Sequence, residues 1–142
     1  MKDVLIVCYG MGCGGAEKSL ISFLNRLPKD RWNVDLIVAN PNGMYMKQIP
    51  STVHFLNNQY ELENFATPMS LRRKKVCNGR DLINQASWQI KSRFLCKNLS
   101  WNEKRWELWG KHLPKLKKRY DLAISYMNGP TNYYVIDKVT AK

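Results

Sequence analysis

Histidine is nearly missing from this chain of 142 residues: there are two, His54 and His112. They lie far apart, without cysteine or carboxylate neighbours at ligand spacing, so no metal centre is expected. Neither is placed in sequence to activate Cys8 or Cys13 as a nucleophile, and both thiols are expected to be packing residues. Acids are few as well, 11 against 23 Lys and Arg. They are scattered, which does not support the paired carboxylates of a glycosidase. The four cysteines (Cys8, Cys13, Cys77, Cys96) show no C-x-x-C spacing. They are expected to be reduced thiols in a cytoplasm, where the sequon Asn98-Leu-Ser100 has no meaning. No apolar run approaches the roughly 20 residues of a membrane span. The N-terminus reads as strand and glycine loop rather than as a signal peptide. Internal repeats and low-complexity tracts are lacking too.

What is present divides unevenly. Residues 71–119 hold 15 Lys and Arg and three acids, which is the whole net charge of +12. The remaining residues carry eight of each sign. Four of the five tryptophans, Trp88, Trp101, Trp106 and Trp109, fall in the same segment. The chain therefore reads as a neutral α/β frame with a basic, aromatic helical insert at about 57–119. Three readings of that insert stand side by side. It is a solvated helix face whose tryptophans pack inward. Or it is a patch for an anionic membrane surface, formed by Arg72, Arg73, Lys74 and Lys75 with Trp101, Trp106 and Trp109. Or it binds nucleic acid, which no motif supports and which is not expected.

The frame alternates strand and helix. Strands are expected at about Val4–Cys8, Val34–Ala39, Val53–Leu56 and Asp121–Tyr126. A helix is expected at about Ala16–Leu27, with Leu20, Phe23, Leu24 and Leu27 on one face and Pro28 as its stop. A short helix follows at Met44–Ile49. Ser100-Trp-Asn-Glu103 is a capping-box pattern opening another helix, and Ile83, Ala86, Ile90 and Phe94 share a stripe within 81–97. The last helix begins at about Thr131. This alternation predicts one α/β domain built on a Rossmann-like, doubly wound parallel sheet, with strand order 3-2-1-4 and right-handed crossovers.

The first strand runs into Gly10-Met-Gly12-Cys-Gly14-Gly15-Ala16-Glu17-Lys18-Ser19-Leu20. A strand feeding a glycine-rich turn that opens a helix is a phosphate-binding arrangement, because the helix N-terminus presents unpaired N–H groups and glycines let a ligand approach them. Gly10, Gly12 and Gly15 fit G-x-G-x-x-G. The dinucleotide reading also needs an acid at the end of the second strand. That strand ends in Asn40-Pro-Asn-Gly43, and Asp35 falls near its start.

Gly14-Gly15-Ala16-Glu17-Lys18-Ser19-Leu20, with Asn25, resembles the GGAE(K/R)-x-L opening of family-4 glycosyltransferases of the GT-B fold. Tyr120-Asp-Leu-Ala-Ile-Ser-Tyr126, then Asn128-Gly129 and Tyr134-Val-Ile-Asp137-Lys138, is similar to a second segment of bacterial members that build surface polysaccharides. Asn128 stands where those relatives often carry glutamate. The resemblance covers 1–56 and 120–142. It implies that residues 1–142 are the N-terminal, acceptor-side half of a GT-B enzyme, truncated before its C-terminal donor domain and so inactive alone. Function would be transfer of a sugar from a nucleotide diphosphate sugar to a glycan or lipid-linked acceptor, with no metal or further cofactor. Gly14, Gly15, Ala16 and Glu17 would border the donor phosphates. Tyr126, Asn128 and Gly129 would lie on the acceptor side. The implied location is the cytoplasm, at the inner face of the plasma membrane. An end at Lys142 is expected to leave a sheet edge unpaired beside the fourth strand and to favour self-association. The competing class is a Rossmann-like nucleotide- or membrane-binding module without transfer activity.

Overall fold

The computed structural model describes residues 1–56, 100–108, 110 and 113–142. In chain order the elements are β1 (Lys2–Gly10), α1 (Gly15–Arg26), β2 (Trp32–Asn40), a 3-10 turn (Met44–Gln48), β3 (His54–Phe55), α2 (Trp101–Leu108), β4 (Arg119–Tyr120), β5 (Leu122–Ser125), α3 (Pro130–Lys138) and β6 (Thr140–Ala141). The helix expected over 81–97, the basic cluster Arg72–Lys75, and Trp88, Trp109 and His112 lie outside the described residues.

Four strands form a sheet in the order β3-β2-β1-β5, and every pairing in it is parallel. That is the order expected from the sequence, with β5 as the fourth strand. β1 and β2 are continuous apolar runs because both faces of the sheet are covered. Val4, Ile6 and Cys8 pack with Val34, Leu36 and Val38 under Leu20, Ile21 and Leu24 of α1. Leu5 and Val7 pack with Ile37 and Ala39 against Trp106, Leu113, Tyr120 and Tyr134 on the other face. Each fully buried Val, Leu or Ile among them contributes about 1.5–3 kcal/mol when withdrawn from water. Pro28 stops α1 as expected: Leu27, just before it, is extended. The capping box forms as read. The Glu103 carboxylate accepts the Ser100 N–H at 2.7 Å, and the Glu103 N–H donates to the Ser100 hydroxyl at 3.4 Å.

Three details differ from expectation. Phe23, placed on the buried face of α1, is 38% exposed, and Ile21 takes its place in the core. The fourth strand is shorter than expected, Leu122–Ser125, and a separate two-residue strand, Arg119–Tyr120, precedes it. Arg119 and Tyr120 pair in parallel with Thr140 and Ala141, whereas Leu122–Ser125 pair with β1. β4 and β6 thus make a two-stranded sheet of their own, and among the described residues no strand pairs with the outer edge of β5.

Candidate functional site

The strands after β1 spread to both sides of it: β2 and β3 to one side, β5 to the other. At such a reversal the loops leaving the two central strands part to opposite faces and open a crevice at the strands' C-terminal ends. Here that reversal, and the crevice it implies, falls between β1 and β5. Its first lip is the turn Met11–Gly14 and the start of α1. Its second is Tyr126–Gly129 and the start of α3. The structure therefore brings Gly14, Gly15, Ala16 and Glu17 to the same end of the sheet as Tyr126, Asn128 and Gly129.

The lips are braced to each other. The Tyr126 N–H donates to the Val7 carbonyl at 2.9 Å. Its phenol oxygen lies 2.9 Å from the Ser19 hydroxyl of α1, and its ring stands 6.3 Å from that of Phe23. This contact draws Phe23 out of the core. The loop after β2 supports the first lip: the Tyr45 N–H donates to the Met11 carbonyl at 3.2 Å. Gly43 permits this approach, since a Cβ there would stand 1.9 Å from the Met11 oxygen. Gly129 turns the second lip into α3 at φ +150°, a conformation that favours glycine, and Pro130 follows in the first helical turn.

The electrostatics of the two lips differ. The Glu17 carboxylate folds back over the glycine turn; a Cβ on Gly14 would meet its Oε2 at 2.5 Å, and one on Gly12 its Oε1 at 3.6 Å. Gly15 faces open space. Burial first, and the nearby Glu17 charge second, push the Cys8 thiol up to about 12. Cys8 is a neutral packing residue, beside the Met11 sulfur at 3.9 Å. The second lip carries hydroxyls and amides: Ser125, Thr131, Asn132 and Asn128 form one hydrogen-bonded set.

Trp106 does not belong to an exposed patch. It is 4% exposed, its indole N–H donates to Asp137 at 2.7 Å, and its ring stacks on Tyr133 at 5.9 Å. Its neighbours on α3 draw it inward, so the membrane patch read from the sequence loses it. Trp101 opens α2, and its side chain is outside the description, as are Trp109 and Arg72–Lys75.

The sequence reading passed over a second polar cluster, at the opposite end of the sheet. Asp35 is buried, and its Oδ2 accepts from the Tyr120 hydroxyl at 2.8 Å and the Lys118 ammonium at 3.0 Å. His54 Nδ1 lies 3.1 Å from Oδ1. Lys118 also reaches Asp3, at 2.9 Å. The signal was a lone acid inside Val34–Ala39, since a charge in a doubly covered strand calls for a partner. Among the described residues, no group of three or more His, Cys, Asp or Glu is placed to hold a metal ion. No helix among them is long and apolar enough to cross a membrane. No protein-family model, curated protein or solved structure matches the chain.

Proposed function

We propose that these residues form the acceptor-side half of a GT-B glycosyltransferase resembling family 4, which moves a sugar from a nucleotide diphosphate sugar to a glycan or lipid-linked acceptor of a surface polysaccharide. One observation carries this reading. The two segments of the resemblance, separated by most of the chain, end on neighbouring parallel strands and touch through Ser19 and Tyr126 at 2.9 Å.

The chemistry follows from the crevice. As the glycosidic bond breaks, negative charge grows on the leaving diphosphate. N–H groups at the start of α1, reached over the open side of Gly15, stabilise such charge in place. Glu17 is suited to accepting hydroxyls of the sugar or acceptor, and Tyr126 and Asn128 line the other wall. In that family most nucleotide-sugar contacts come from a second domain, so the 142 residues alone bind weakly and transfer nothing. On this reading the protein works in the cytoplasm, at the inner face of the plasma membrane, with cations of the 71–119 segment toward anionic lipid.

The test is calorimetric titration of the 142-residue protein with UDP, GDP and uridine. A nucleoside diphosphate is expected to bind more tightly than uridine, and Gly15→Val to weaken it about tenfold, or about 1.4 kcal/mol. Equal affinity for UDP, GDP and uridine defeats the diphosphate site. Robust sugar transfer by this chain alone defeats the half-enzyme reading.

A further inference from the structure

Distance fixes the direction of the hydrogen bonds on the second lip. The Ser125 hydroxyl stands 2.6 Å from Asn132 Oδ1. That length suits O–H···O and is short for N–H···O, so the Asn132 amide turns its oxygen toward Ser125 and its nitrogen away. The Met127 carbonyl, 3.3 Å from Ser125, accepts from Thr131 Oγ1 at 3.3 Å. Ser125 has one proton, and the shortest of its contacts, 2.6 Å, assigns it to Asn132 Oδ1; its oxygen lies 3.0 Å from Thr131 Oγ1. Asn132 Nδ2 in turn donates to Asn128 Oδ1 at 3.1 Å. The carbonyl end of the exposed Asn128 amide is occupied, and its Nδ2 has no partner among the described residues.

We infer that Asn128 presents its amide N–H pair to an oxygen of a bound diphosphate at the crevice between β1 and β5, with Ser125 and Asn132 as positioning residues. An amide nitrogen donates only, so the ligand atom it meets is an acceptor. An anionic acceptor gives the stronger bond. The Glu17 carboxylate over Gly12 and Gly14 repels an anion from that part of the first lip, whereas no acid stands among Ser125–Asn132. The inference rests on the proposed reading of the crevice as the donor site and moves Asn128 from the acceptor to the diphosphate. The diphosphate belongs either to a nucleotide sugar or to a prenyl-linked acceptor.

The experiment follows the side-chain amide resonances of the 15N-labelled 142-residue protein, with the Asn128 pair assigned by its loss in Asn128→Asp. Sodium pyrophosphate, UDP and farnesyl diphosphate are titrated in turn. The Asn128 pair is expected to shift with pyrophosphate. Asn128→Asp is expected to weaken binding of the tightest probe at least about tenfold, the size of a lost charge-assisted hydrogen bond, with the melting temperature unchanged. Ser125→Ala weakens it severalfold, and Ser125→Thr, which keeps the hydroxyl, restores it. Asn128 resonances unmoved by all three probes, or undiminished binding by Asn128→Asp, overturns the inference even where UDP binds. If pyrophosphate shifts Asn128 but UDP binds no tighter than pyrophosphate, the inference stands and the nucleotide-sugar reading falls. Tighter binding of farnesyl diphosphate than of UDP supports the inference and assigns the anion to the acceptor.

Discussion

Lys118 Nζ lies 3.0 Å from Oδ2 of Asp35, a residue 83 positions earlier in the chain and 3% exposed. The pair ties the end of the basic segment to β2, at the end of the sheet away from the crevice. Asp35 also satisfies the buried Tyr120 hydroxyl. Replacing Asp35 with Ala leaves that hydroxyl without its acceptor and Lys118 with Asp3 alone. The Tyr120 hydroxyl left unsatisfied costs about 1–3 kcal/mol, read from the denaturant midpoint, while the half-exposed Lys118 adds little. Tyr120→Phe removes one donor of three and costs about 1–1.5 kcal/mol.

The same cluster sets a pH dependence at both extremes. Hydrogen bonds from Lys118 and then Asn33 hold Asp3 below its usual 3.8. Those from Lys142 and from the Asp3 backbone do the same for Asp121. A carboxyl more acidic when folded stabilises above its unfolded value, and that stability is lost as pH falls through the folded one. Burial, then Asp35, raises the Tyr120 phenol above 10.0. Burial works against the Lys118 charge, yet hydrogen bonds to Asp3 and Asp35 prevail and hold it above 10.5. Both raised groups stabilise below their unfolded values and lose that stability as pH rises through the folded ones. The melting temperature should drop below about pH 4 and again above about pH 10. Tyr120→Phe should flatten the alkaline fall, and an unchanged alkaline limb in that variant would remove Tyr120 as a cause.

Gly43 and Gly129 resist substitution for different reasons. At Gly43 the backbone is extended at φ −177°, but a Cβ would meet the Met11 carbonyl at 1.9 Å. Gly43→Ala must push the first lip away, at about 1–3 kcal/mol. At Gly129 there is room, but φ +150° strains any side chain, at about 1–3 kcal/mol. Gly15→Ala meets neither obstacle. Thermal melts of the three variants should therefore separate the first two from the third.

Vesicle sedimentation divides the basic segment. Each Lys or Arg near an anionic bilayer is worth about 1 kcal/mol, and salt screens it. Arg72, Arg73, Lys74 and Lys75 changed together to Glu should reduce binding to anionic vesicles at low salt. Trp106→Phe should leave that binding intact while lowering stability, because it loses the bond to Asp137. Equal binding of the unaltered protein to neutral vesicles would remove the electrostatic basis.

Local order and the order of the strands were legible, and the side-chain partners that distant segments bring together were not. Val4–Cys8 and Val34–Ala39 announced themselves because strands buried on both faces need unbroken apolar runs. Ser100 and Glu103 cap α2 as their spacing said, a contact within one turn. Phe23 was misplaced because its environment depends on Tyr126, about a hundred residues on. Trp106 grouped with its basic neighbours in composition, yet its side is set by Tyr133 and Asp137 of α3. Asp35 was noticed only as an acid in the wrong place for a ribose; its partners Lys118 and Tyr120 come from the far end of the chain. For the crevice, the glycine turn was visible in sequence. The direction of the amides beside it rests on a distance that no spacing encodes.

β1 stands between two neighbours that reach it by very different paths. Asn33, at the start of β2, is 30 positions from Asp3, and Asp121, beside β5, is 118 positions away. Closing a chain about four times longer costs roughly 1.2 kcal/mol more in entropy. It also delays the contact during folding, since distant pairings form after local ones. β1, α1 and β2 are thus expected to pair early, and β5 to join them late with the residues that cover the second face, Trp106 and Tyr134 among them. Under native conditions the amides of Leu122–Ser125 should exchange with solvent through smaller openings than those of Leu5–Val7. One wall of the crevice is then the more readily opened, and a ligand held by Asn128, in the loop that leaves β5, would slow that exchange.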